Sequence, residues 1–129
     1  MKYSGSTICL ISVSIFKPIQ SMLEVIMPKA YMMVHLDVTN SEAFTTGFGS
    51  KVADVAREFG GKFLVLRPAV HRYENQFNGK PADVHGIIEF PDRESAIAWY
   101  ESDEYKAILP SRLENTTNTY FAIVDGVDD

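Results

Sequence analysis

The chain has 129 residues and one cysteine, Cys9, which excludes an internal disulfide and any cysteine-based zinc site. Such a chain suits a reducing compartment, and a cytoplasmic location is expected. Positive charge is also scarce: 12 Lys and Arg stand against 17 Asp and Glu, a net charge of −5, with the basic residues scattered among acids. A nucleic-acid binder carries a basic stripe that neutralises phosphates, so no nucleic-acid partner is expected. No apolar run approaches the roughly 20 residues that cross a bilayer, so no membrane partner is expected either. Gly-x-Ser-x-Gly, a P-loop and a Gly-x-Gly-x-x-Gly following a strand are all missing, and "TTGFGSK" falls inside a helical period. Nucleotide chemistry therefore has no support, and no cofactor is expected.

What is present is an ordinary globular composition, 46% hydrophobic, 22% charged and 12% aromatic. That is enough for one modest core and too short for two. Residues 1–26, "MKYSGSTICLISVSIFKPIQSMLEVI", have the outline of a secretory leader. The apolar run from Ile8 to Phe16 is short, however, diluted by Ser12 and Ser14, and followed by no Ala-x-Ala site. The simpler expectation is that residues 1–26 are an extension outside the fold and that one domain spans 27–129, starting at Met27.

From Ala30 to Val38, Met32, Val34, Leu36 and Val38 alternate with Tyr31, Met33, His35 and Asp37, which predicts a strand with one purely apolar and one mixed face. Thr39 with Glu42 matches a capping box opening a helix. Phe44, Phe48, Val52, Val55, Ala56 and Phe59 form its apolar stripe, Gly47 and Gly49 weaken its start, and Gly60-Gly61 ends it. "KFLVLRPAVHRYE" reads as a second strand, at an edge because Pro68 cannot donate to a ladder. Asn78-Gly79 suggests a hairpin into the third strand, "VHGIIEF". Asp92 is placed to cap a helix bearing Trp99 and Tyr100. "SDEYKAILPSRL" reads as a short helical turn capped by Ser102 and disrupted at Pro110. "NTYFAIVDG" is the last strand.

The order β-α-β-β-α-β predicts a ferredoxin-like α+β sandwich: a four-stranded antiparallel sheet of order 4-1-3-2 with two helices on one face. The other face is left bare. It would carry Tyr31, Met33, His35 and Asp37 from the first strand and His85, Ile87 and Glu89 from the third, on the adjacent central pair. His35, His85 and Glu89 are therefore expected within reach of one another. A face too apolar for water and too polar for a plain core calls for a partner sheet, hence a homodimer with a barrel-like interior.

Four polar groups are candidates for catalysis: His35, Arg67, His85 and Glu89. Two histidines and a carboxylate form a conceivable metal set, but no local motif enforces convergence and no metal site is expected. Glu89 beside His85 or Arg67 could act as a shifted-pKa base, or simply accept from a cation at a dimer interface. His71, with Arg72 and Glu74, is either a proton shuttle near a pocket mouth or a solvated strand-end residue. Trp99 and Tyr100 lie about 100° apart around a helix. One is expected to pack on the sheet and the other to reach the segment carrying Tyr105, as plain packing or as walls for a flat ligand.

The segments "AYMMVHLDVTNSEAF", "GGKFLVLR", "IIEFPDRESAIAWYESDEYKAILPSR" and "FAIVDG" together resemble the domain-of-unknown-function 1330 family, over about Met27 to Val127. The most specific run comprises Glu89, Phe90, Pro91, Ala96, Trp99, Tyr100, Ser102, Glu104 and Tyr105, with Arg112 after it. The resemblance implies a small dimeric α/β-barrel protein; the candidate binding residues are Trp99, Tyr100, Tyr105 and Arg112. Within the wider superfamily stand cofactor-independent monooxygenases, heme-degrading enzymes, dehalogenase-like proteins and ligand-binding modules. Two functions stay open: a small-molecule binding or accessory module, and a cofactor-independent enzyme of monooxygenase or isomerase type acting on a small, possibly aromatic, substrate. The segment "YENQFNGKPADVHG" departs from the family pattern, with Asn75 where a glycine is usual.

Overall fold

The structure, a computed structural model, describes residues 27–127, so the expectation for residues 1–26 lies outside the described residues. Four strands, β1 (Ala30–Val38), β2 (Lys62–Pro68), β3 (Val84–Phe90) and β4 (Thr116–Asp125), form one antiparallel sheet in the order β2-β3-β1-β4. This is the expected order read from the other edge. β1 sits centrally, with Met33 opposite Ile87 of β3 and Ala122 of β4.

The β1 alternation appears directly in its burial. Ala30, Met32, Val34 and Leu36 are buried, while the residues between them are partly open. The buried set meets the helical layer through Phe48, Val52, Ala56, Ala96, Trp99, Tyr105 and Ile108, with Ile88 and Phe90 added from β3. Trp99, Tyr105, Phe90 and Ile88 are the largest side chains with almost no exposure, and they anchor the core.

The first helical segment departs from expectation. Asn40, not Thr39, is the N-cap: its backbone is extended and its side chain accepts from the Ala43 N–H at 3.1 Å. The helix then divides into α1 (Ser41–Phe44), a wide turn over Thr45–Gly49 and α2 (Val52–Arg57). In the wide turn the Ser50 N–H reaches back five residues to the Thr45 carbonyl. The glycines explain it. A Cβ on Gly47 would run into the Ser111 side chain, so the turn can press against the later helix only there. Gly60 takes the left-handed conformation that ends α2, with φ of 83°.

β2 is an edge strand, as Pro68 indicated, but no tight hairpin follows. Residues 69–83 form a long irregular connection, because the strand pattern lapses beyond Pro68 and Asn78-Gly79 turns only locally within it. α3 (Arg93–Glu101) starts at Asp92, whose side chain accepts from the Ser95 N–H at 2.8 Å. α4 (Asp103–Asn115) is a full helix of 13 residues, not a short turn. Ser102 caps it, and Pro110 is carried inside. The missing donor at Pro110 costs the helix about 3 kcal/mol in propensity. Burial of Tyr105, Ile108 and Arg112 along one side offsets that cost and keeps the helix continuous.

Candidate functional site

On the bare face, β1 and β3 bring His35 directly opposite His85. Their rings meet edge to face with centroids 4.8 Å apart, and Tyr120 of β4 stands 5.9 Å from His35. Arg67 of β2 is opposite His85 on the other side, with its guanidinium turned to the Leu66 carbonyl. Burial first, and the neighbouring His85 second, lower the His35 pKa, so its imidazole is neutral at neutral pH. His85 Nε2 is buried and has no hydrogen-bond partner among the described residues.

Glu89 is not part of this cluster. It shares the face but lies four residues along β3 from His85, about 13 Å at the strand rise, opposite Tyr31 and Lys62. Its carboxylate pairs with Lys29 at 3.3 Å, a residue sequence reasoning passed over. Glu89 thus takes the cation-accepting role, with Lys29 in place of Arg67, and His35, His85 and Glu89 do not converge. Among the described residues, no three of His, Cys, Asp and Glu are grouped to hold a metal.

The connection 69–83 borders a broad open hollow of about 870 Å³ over the histidine pair, lined also by His71, Arg72, Tyr73, Glu74 and Phe77. His71 stacks on Tyr73 at 4.5 Å, and both are exposed. Asp37 fixes the far end of this connection by accepting from the Asp83 N–H at 2.8 Å. That bond, helped by Asn118, lowers the Asp37 pKa.

A second space lies between the sheet and the helices. It is a cavity of about 170 Å³ lined almost wholly by apolar side chains, among them Val34, Leu36, Phe48, Phe63, Leu66, Ile88, Trp99 and Phe121. Phe48, the buried residue of the wide turn, forms part of one wall. The sequence signs of this were the place of Phe48 on the apolar stripe and the glycines on either side of it. Trp99 packs on Phe90 at 5.4 Å and on Tyr105 at 4.6 Å, and its Nε1 is buried with no hydrogen-bond partner among the described residues.

Behind that wall is the polar knot of the core. Arg112, 3% exposed, donates from Nε to the Tyr105 hydroxyl at 3.1 Å and from Nη2 to the Tyr100 hydroxyl at 3.2 Å. Its guanidinium stacks on Phe121, 4.1 Å from the ring centre. Burial pushes the Tyr105 phenol up to about 12, against the opposing pull of Arg112, so it stays protonated. Trp99, Tyr100, Tyr105 and Arg112 therefore do assemble around one point. Trp99 is the one that reaches the cavity wall, and Tyr100 and Tyr105 position Arg112.

No helix among the described residues is long and apolar enough to cross a membrane. No curated protein matches the chain in sequence. Among solved structures, a protein of unknown function from Rhodopseudomonas palustris has a similar fold at 13% identity, covering 92% of this chain and 96% of its own, with a TM-score of 0.65. A Nitrosomonas europaea protein provisionally named an antibiotic biosynthesis monooxygenase is similar at 15% identity, covering 78% and 92%, with a TM-score of 0.56. A Caulobacter crescentus protein with the same provisional name is similar at 13% identity, covering 84% and 98%, with a TM-score of 0.54. Identities this low speak for the fold alone. The family model described as a domain of unknown function, DUF1330, matches residues 29–127, and the chain belongs to that family.

Proposed function

We propose that the protein is a cytoplasmic homodimer that binds a small, largely apolar molecule in the cavity between its sheet and its helices. One observation carries this reading: Trp99 lines an apolar cavity while its indole N–H is buried and unpaired among the described residues. A buried donor without a partner costs about 1–3 kcal/mol, a cost that an acceptor on a bound molecule removes. A cavity of this size matches one benzene-sized ring, since a dry cavity of about 150 Å³ takes up benzene. The bare sheet face, with Met33, Ile87, Ala122 and Val124 around the histidine pair, is where a second copy would pack. Binding uses no metal or cofactor in this reading, and the scattered basic residues give a nucleic acid no landing surface.

Trp99 is the chain's single tryptophan, so its fluorescence reports this cavity alone. Titration with six- to ten-heavy-atom aromatic ligands should give a saturable change in Trp99 emission. A folded protein whose emission answers none of them would overturn the reading.

The neutral His35 favours a second reading, a cofactor-independent enzyme of monooxygenase or isomerase type. A neutral imidazole facing the open hollow is a competent proton acceptor. The provisional names of the two fold neighbours agree with it by analogy only. Under this reading His35→Gln abolishes turnover of a substrate that the protein still binds.

A further inference from the structure

We propose that His35 and His85 together bind one transition-metal dication of the class that imidazole favours (Zn²⁺, Cu²⁺ or Ni²⁺), in the open hollow on the bare face of the sheet. The site lies across the sheet from the apolar cavity and stands or falls independently of it.

The backbone sets the spacing. His35 of β1 and His85 of β3 are directly opposite in an antiparallel pair, which holds their Cβ atoms about 4.5–5.5 Å apart. Both strands are central in the sheet, so ladders on either side fix that spacing. The ring centroids stand 4.8 Å apart. Two imidazoles sharing one ion, each with a nitrogen about 2.1 Å from it, have centroids about 5 Å apart at a near-tetrahedral angle. The pair thus stands at chelating separation without the ion. What remains is rotation of each ring about its Cβ–Cγ bond, a broad torsion in histidine.

The nitrogens are open to a ligand. Neither imidazole makes a hydrogen bond among the described residues, and Arg67, opposite His85 on β2, donates to the Leu66 carbonyl instead. Of the ring nitrogens, only His85 Nε2 is shut off from solvent without a partner. Nδ1 is therefore the nitrogen that His85 offers, and His35 offers either of its own.

The donor set selects the ion. Glu89 is about 13 Å away along β3, and no third His, Cys, Asp or Glu of the described residues joins the pair. Mg²⁺ and Ca²⁺ require several oxygen ligands and find no carboxylate grouped with the histidines. Two imidazoles suit a softer dication and leave its other positions to water or to a guest in the hollow.

The chain has three histidines, so an imidazole proton–nitrogen spectrum of the uniformly labelled full chain follows each one. Diamagnetic Zn²⁺, titrated at pH 7.5, should move the His35 and His85 signals together to saturation at one ion per pair. Mg²⁺ should move neither, and the Trp99 indole signal should stay fixed. Zinc taken up by Cys9 leaves these two signals unmoved, so it does not enter the reading. His85→Gln should weaken the His35 response about tenfold or more, because the second imidazole otherwise binds intramolecularly. His71→Gln should leave it unchanged. His35→Gln, followed through His85, gives the reciprocal test should His85→Gln not fold. Signals of the pair that move separately, a response that survives loss of the partner histidine, or none at millimolar Zn²⁺ would overturn the assignment.

Discussion

The guanidinium of Arg112 and the ring of Phe121 are stacked at 4.1 Å in the protein interior, with two tyrosine hydroxyls as the polar contacts of the cation among the described residues. The arrangement predicts an asymmetry between deleting the cation and deleting its support. Tyr105→Phe leaves the cation buried with one donor unanswered and should cost about 1–3 kcal/mol of unfolding free energy. Arg112→Met removes charge and donors together and should be within about 1 kcal/mol of neutral, or stabilising. Urea unfolding of the two variants measures both values.

Tyr105 also makes stability depend on alkaline pH. Its folded pKa, about 12, lies above the ordinary value of 10.0, so between those values the unfolded chain loses a proton that the folded chain keeps. The contribution is whole below pH 10 and is lost as pH rises through 12. Its full size is about 3 kcal/mol, from two pKa units at 1.36 kcal/mol each. Unfolding followed from pH 9 to 11.5 should show the decline, and Tyr105→Phe should flatten it.

His35 acts at the other end of the scale. Its folded pKa is depressed below 6.5, so its contribution is present above that value and is lost as pH falls beneath it. The groups facing it are His85 from β3 and Tyr120 from β4, with Arg67 one strand further out. His35→Leu should leave the oligomeric state at pH 7.5 unchanged and reduce the stability loss that begins below pH 6.5. Sedimentation velocity with thermal unfolding at pH 5.5 and 7.5 checks both.

The bare sheet face gives a prediction about assembly. Ile87 lies in its centre, between Met33 of β1 and Val65 of β2. Ile87→Asp places a carboxylate where a second sheet should pack, so it should yield monomers with unchanged far-ultraviolet circular dichroism. Sedimentation equilibrium of the variant beside the unaltered chain decides it.

The parts of this protein legible in its sequence are those set by period and punctuation. The β1 alternation, the edge position announced by Pro68, the caps at Asp92 and Ser102 and the sheet order all follow from local rules. Helix ends governed by competition were harder. Asn40 took the cap from Thr39, and packing of Tyr105, Ile108 and Arg112 carried α4 through Pro110. Site residues divided by distance. The His35–His85 pair follows from adjacent strands with matched faces. The separation of Glu89 from His85 is set by four residues of one extended strand, so it stood in the spacing whatever the register. The cavity was least visible, because Phe48 read as part of an ordinary apolar stripe and a period says nothing of the space left between it, Phe63 and Phe121.

The indole N–H of Trp99 gives one resonance in a proton–nitrogen correlation spectrum, because the chain has one tryptophan. Its response to a neutral, benzene-sized aromatic ligand in uniformly labelled protein is the most direct test of the cavity as the binding site. The account predicts a saturable displacement of that signal, with the amides of Phe63 and Ile88 shifting alongside. Displacements confined to His35, His85 and Tyr120, with the Trp99 signal fixed, would contradict it and move the site to the open face.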